Sequence, residues 1–212
     1  MTSPFIITGT DTNVGKTVVS AMLMLGLGAS YWKPVQCGIA GGVDTKIVQN
    51  ITGLPDERFF PERYILSEAL SPHRAAELEN ITLDLSRLIP PYTENPLLIE
   101  GAGGLMVPLT RNNLQINLFK SWQNAARIPV ILVAQTELGT INHTLLSLEA
   151  LWGRRIPVQG IIFNGPDNPD TIRTIADFSK TKILGRVPPL EALNSSTLQA
   201  VFAQFFSRED FI

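Results

Sequence analysis

The chain has 212 residues, 44% of them hydrophobic and 17% charged, with a formal net charge of −2. That composition suits one folded domain with a substantial core and excludes a disordered chain, and so slight a charge gives no basic surface for nucleic acid. A single cysteine, Cys37, and two histidines exclude a disulfide framework and argue against structural zinc; no stretch approaches the ~18 consecutive apolar residues of a membrane span. The first residues lead into an apolar run without the order of a secretory signal. A cytoplasmic enzyme or switch is expected, with neither nucleic acid nor membrane as partner.

The first predicted strand, 4–8, runs into Gly9-Thr10-Asp11-Thr12-Asn13-Val14-Gly15-Lys16-Thr17, and a helix is predicted over 16–27. Strand, glycine turn and helix start are the context of a phosphate-binding loop. Backbone N–H groups around Gly15 can converge on phosphate oxygens, helped by the positive end of the helix dipole. Lys16 is suited to β/γ-phosphate charge and the Thr17 hydroxyl to Mg²⁺. Five residues separate Gly9 from Gly15, one more than in the commonest form of the motif. A nucleoside triphosphate is the expected ligand.

A second strand, 30–35, carries Lys33 near its carboxyl end, where open α/β sheets place their ligand crevice. Lys33 is either a snorkelling surface residue or a charge needed in the site. Asp44 follows Gly41-Gly42 and opens a helix at 43–51, either as its N-cap or as a second carboxylate near Mg²⁺. Residues 52–95, rich in proline, are expected to pack helices and loops, including a helix at 71–79, over one face. The strand 96–100 ends in Glu100 and leads to Gly101-Ala102-Gly103-Gly104, the pattern of a Walker-B strand whose acid holds Mg²⁺ or its water.

Helices at 114–126, 140–152, 169–179 and 189–206 then alternate with strands at 129–134, 157–163 and 182–186. The helix start at Leu138-Gly139-Thr140-Ile141-Asn142-His143 can hold a substrate carboxylate, or Thr140 can simply cap it. His143 reads as a structural histidine. Asn164-Gly165 is either an amide that reads adenine edges or a plain turn, and Pro188-Pro189-Leu190 either walls a base pocket or starts the last helix. Short apolar strands alternating with helices predict an α/β fold: a single P-loop NTPase domain over 1–212, its mostly parallel sheet flanked by helices on both faces.

These segments resemble the dethiobiotin synthetase family. Gly9–Thr17 and Glu100–Gly104 carry the resemblance, supported by Lys33-Pro34-Val35, Ser71-Pro72-His73, Pro108-Leu109, Leu138-Gly139, Ile141-Asn142-His143, Asn164 and Gly185-Arg186-Val187-Pro188. The resemblance implies an ATP- and Mg²⁺-dependent ligase that closes the ureido ring of dethiobiotin from 7,8-diaminopelargonic acid and CO₂, through a carbamate and its mixed anhydride with phosphate. It implies Mg²⁺ on Thr17, Asp44 and Glu100, and Lys33 and Lys16 on the carbamate and the transferring phosphoryl group. Asn13, Val14, Gly15, Val18, Gly101, Ala102 and Gly103 would then contact the phosphate side of ATP, and Asn164, Gly165, Pro188, Pro189 and Leu190 the adenine side. Thr10 and Cys37 would face the substrate. Asn142 would serve the site of a second copy in a homodimer.

Cys37 stands where the family usually has Ser or Thr, which weakens one donor near the substrate. Asn13 replaces a Glu of some members, and the first helix and its exit are shorter. The alternative is a ParA/MinD-like ATPase switch acting through a protein partner. Asp11 stands where such a switch has lysine, four residues before Gly15.

Overall fold

The computed structural model describes residues 4–211. Seven strands form one parallel sheet in the order β4-β2-β6-β1-β7-β8-β9. They are β1 (Phe5–Gly9), β2 (Ser30–Trp32), β4 (Phe59–Phe60), β6 (Leu97–Gly104), β7 (Val130–Gln135), β8 (Val158–Asn164) and β9 (Ile183–Val187). Two more, β3 (Val35–Cys37) and β5 (Tyr64–Leu66), pair in parallel as a separate ribbon. The helices are α1 (Lys16–Leu27), α2 (Asp44–Thr52), α3 (Pro72–Leu78), α4 (Gln115–Trp122), α5 (Thr140–Gly153), α6 (Pro169–Ser179) and α7 (Ser195–Phe205).

Alternation along the strands divides the core. Phe5, Ile7, Leu98, Ile131, Val133 and Ile162 pack under α1, α2 and α7. Ile6, Leu97, Ile99 and Val130 face α3 and α4, while Leu132, Ala134, Ile161 and Phe163 face α5 and α6. Strands buried on both faces read as continuous apolar runs, which is why these were recognisable. The centre of α1, Val19–Met24, is buried throughout. At its far end Gly26 admits the ring of Phe202 from α7 so closely that a Cβ there would lie 2.2 Å from a ring carbon.

Several expectations need correction. The strand expected at 30–35 breaks at Lys33-Pro34: β2 stays in the main sheet, and the chain leaves it as β3. Pro34 has no N–H to give a ladder; its carbonyl accepts instead from the Arg63 and Tyr64 N–H groups. Residues 52–95 contribute β4, β5, α3 and two 3-10 turns, so they supply an edge strand as well as a cover. β6 does not end at Glu100 but continues to Gly104, beside Gly9. The helix expected at 114–126 closes at Trp122, and the one expected at 189–206 starts at Ser195, where Asn194 accepts from the Thr197 N–H at 3.0 Å. Pro188-Pro189-Leu190 is therefore loop. Asp44 is the first residue of α2 rather than its cap, and Thr140 spends its hydroxyl on the Gln135 carbonyl at 2.6 Å, away from the start of α5.

Candidate active site

The carboxyl ends of β1, β2 and β6 converge on the start of α1. Asn13 (φ 60°) and Gly15 (φ 94°) both take left-handed backbone, which folds the loop between β1 and α1 back on itself. Gly15 is required twice over, because a Cβ would also lie 2.1 Å from Nδ2 of Asn164. That amide donates to the Val14 carbonyl at 3.1 Å, tying the loop to the end of β8. Lys16 folds back and donates to the Asp11 carbonyl at 2.9 Å. Burial lowers its pKa against the opposing pull of Glu100.

Behind the loop lies a buried ionic cluster. Glu100 is fully buried on β6. Its Oε1 accepts from Thr17 Oγ1 and from Lys33 Nζ, both at 3.2 Å, and its Oε2 accepts from Ser20 Oγ at 2.7 Å. Lys33 also donates to Asp44 Oδ2, so one ammonium bridges two carboxylates from different elements. Burial pushes the Lys33 pKa down, but Glu100 and Asp44 more than offset it and leave the group firmly charged. Lys33 is not a snorkelling surface residue: it is 6% exposed. Thr17 touches Glu100 directly and Asp44 reaches it through the Lys33 ammonium, so hard oxygens from all three are gathered in one cluster. That set fits Mg²⁺, which takes one or two carboxylates and completes its shell with phosphate oxygens and water.

Gln36 and Tyr31 complete the surround. Gln36 accepts from the Asp44 N–H at 3.3 Å and donates to the Gly38 carbonyl at 2.9 Å, fixing the first turn of α2. The Tyr31 hydroxyl is buried beside the Glu100 carboxylate, and burial and then the Glu100 charge raise its pKa well above the ordinary value. Burial likewise pushes the Cys37 thiol up to about 11. Of the glycines after Glu100, Gly101 faces α4 and the Ala102 N–H is taken by Gln115 Oε1 at 2.9 Å. Gly103, with φ 71°, lies against Val107 and Thr12.

On the other side of the loop, a groove of about 600 Å³ opens between Thr10-Asp11, Leu105–Val107 and α5. Its walls are mainly apolar, and the exposed His143 lines it. Asn142 is exposed at the start of α5. At the far end of the loop, Arg186 donates to the Gly165 carbonyl at 3.0 Å and pairs with Asp167 at 3.2 Å, shaping the turn after Asn164. Ser20 carries no mark in the sequence, because its partner lies far along the chain.

A parallel sheet whose first strand feeds a glycine loop and a buried carboxylate facing the helix start defines a P-loop NTPase. The AAA domain family matches residues 4–197. Solved structures share the fold: a ParA family ATPase from Chlorobium tepidum (TM-score 0.53, 14% identity, 96% of this chain and 92% of that one), and the septum site-determining protein MinD complexed with Mg-ADP from Pyrococcus horikoshii (TM-score 0.54, 16% identity, 95% and 87%). Curated relatives are far nearer in sequence. The ATP-dependent dethiobiotin synthetases BioD of Rhodopseudomonas palustris and Agrobacterium fabrum are each 48% identical to it, covering all of this chain and 98% of their own lengths. The chain belongs to the dethiobiotin synthetase family.

Proposed function

We propose that this protein closes the ureido ring of dethiobiotin from 7,8-diaminopelargonic acid, CO₂ and Mg·ATP, an ATP-dependent cyclo-ligase step of biotin synthesis in the cytoplasm. The observation that carries the reading is the meeting of Lys33 with Glu100, Asp44 and Thr17 directly behind the phosphate loop. One amine of the substrate adds to CO₂ and loses a proton, giving a carbamate. A carbamate oxygen attacks the γ-phosphorus of ATP and ADP leaves. The second amine then attacks the carbonyl of the mixed anhydride, expelling phosphate and closing the ring. Little covalent work falls to the protein, whose task is to align reactants and spread developing negative charge.

Thr17, Asp44 and Glu100 would hold Mg²⁺, which supplies charge neutralisation on the β- and γ-phosphates. Lys33, released from the carboxylates, turns its ammonium to the carbamate and phosphoryl oxygens, and Lys16 leaves the Asp11 carbonyl for the phosphates. Asn13–Val18 and Gly103 cradle the phosphate side. Asn164, Gly165 and Pro188–Leu190 receive adenine. Thr10 and Cys37 face the diamine, whose aliphatic chain suits the apolar groove lined by Leu105, Met106 and Leu146.

A homodimer is part of this reading. Leu138, Ile141, Leu146 and Met106 are exposed around the groove, an apolar rim suited to a second copy that would bring Asn142 to the substrate carboxylate. Among the described residues no helix is long and apolar enough to cross a membrane. Phosphate release from Mg·ATP with bicarbonate, measured with and without the diamine, tests the function. Diamine-dependent release matching dethiobiotin one for one supports it; release indifferent to the diamine refutes it. Sedimentation as a monomer at working concentration, with Asn142→Ala leaving the KM for the diamine unchanged, would refute the dimer.

A further inference from the structure

The stretch Val19–Met24 of α1 is wholly buried, and every residue in it but one is apolar. The exception is Ser20, at 0% exposure. A serine inside a helix ordinarily turns to solvent or bonds a carbonyl one turn back. Ser20 does neither. Its hydroxyl donates to Glu100 Oε2 at 2.7 Å, the short distance of a hydroxyl on a carboxylate.

Thr17 and Ser20 are three residues apart, hence neighbours on one helix face. Each takes a different oxygen of the same carboxylate, Thr17 Oε1 and Ser20 Oε2. Their settings differ. Thr17 is half-buried at the mouth and shares Oε1 with Lys33, whereas Ser20 is sealed beneath it. The buried Tyr31 hydroxyl also lies beside the Glu100 carboxylate, but outside the geometry of a full hydrogen bond. Ser20 is thus the full-geometry donor on Oε2, while Oε1 is the oxygen on the side of Thr17 and of Lys33, which in turn binds Asp44.

We propose that Ser20 is a positioning residue: by holding Oε2 it fixes the Glu100 carboxylate so that Oε1 is presented to the cation. This rests on the assignment of Glu100 to the metal, though not on the identity of the diamine. Donors that orient a metal ligand typically contribute about 10–100-fold to metal affinity.

The test is Ser20→Ala, a change that favours the helix and removes only the hydroxyl. Nucleotide affinity is measured by calorimetry twice, with excess EDTA and with excess Mg²⁺, alongside a Mn²⁺ titration of the ATP complex followed by EPR. The expected result is unchanged metal-free ATP binding, with Mn²⁺ affinity and the Mg²⁺-dependent gain in ATP affinity each reduced about tenfold. Ser20→Thr, which keeps a hydroxyl, is expected to retain metal affinity within about threefold if its thermal transition stays cooperative. Wild-type metal affinity in Ser20→Ala would overturn the proposal. Equal losses with and without metal would also overturn it, since they mark a packing defect. Neither measurement contains the diamine, so failure of ring closure and failure of the Ser20 role are read separately.

Discussion

Replacing Lys33 with methionine keeps most of the buried stem and removes the charge. Glu100, fully buried, and Asp44 then face each other without their shared cation. At 3.2 Å the Lys33–Glu100 attraction alone is about 5 kcal/mol at an effective dielectric constant of about 20. Desolvation of the pair opposes it, and removing one partner of a buried pair typically costs about 3–5 kcal/mol. Taking about 3 kcal/mol, the variant should melt about 6–12 °C below wild type in EDTA. A divalent cation can enter where the ammonium stood, and at 100 times its Kd it returns about 2.7 kcal/mol. Mg²⁺ should therefore restore most of the loss in Lys33→Met and do much less for wild type, whose own lysine competes. Thermal unfolding by near-UV circular dichroism, scanned across Mg²⁺ concentration without nucleotide, reads this directly. A variant as stable as wild type in EDTA, or equally indifferent to Mg²⁺, would refute the reasoning. Dethiobiotin formation should be lost in either buffer.

Glu100→Gln should weaken Mg·ATP binding by at least ~10-fold while sparing metal-free ATP, in an equilibrium assay with and without EDTA; an unaltered metal requirement removes Glu100 from the site. Gly15→Ala meets both the left-handed backbone and the Asn164 amide. Adding Asn164→Ala relieves the clash but not the ~1–2 kcal/mol of backbone cost, so the double variant should regain only part of the lost stability in urea unfolding. Cys37, with its pKa raised from 9.0 to about 11, holds about 100-fold less thiolate below pH 9 than an ordinary thiol. Alkylation by iodoacetamide at neutral pH should be slowed by about tenfold, once the greater nucleophilicity of the more basic thiolate is counted, and become fast on unfolding; ordinary reactivity in the folded protein would contradict the burial.

The sequence disclosed what short spacing encodes. Gly15-Lys16-Thr17 after an apolar strand marks the phosphate loop, and the long apolar runs of β1, β6, β7 and β8 mark a sheet covered on both faces. Strands of two or three residues, such as Phe59–Phe60 and Tyr64–Leu66, carry no period to detect and exist because neighbours offer them an edge. Pro34 was visible, but that it ends β2 and sends Lys33 toward Glu100 depends on pairing elsewhere. Ser20 carries no signal of its role in the sequence, because its partner lies 80 positions away. The ring of Phe202 against Gly26 was hidden for the same reason.

The Asn164 amide lies in the very space that a side chain at position 15 would fill, and it grips the carbonyl just before it. If that amide also meets the base, as proposed, recognition of the base and shape of the phosphate cradle are one mechanical part. A lineage drifting toward another nucleotide could not exchange Asn164 freely, since any larger group collides with the loop and any smaller one releases it. Preference for the base and grip on the phosphates would have to be inherited together.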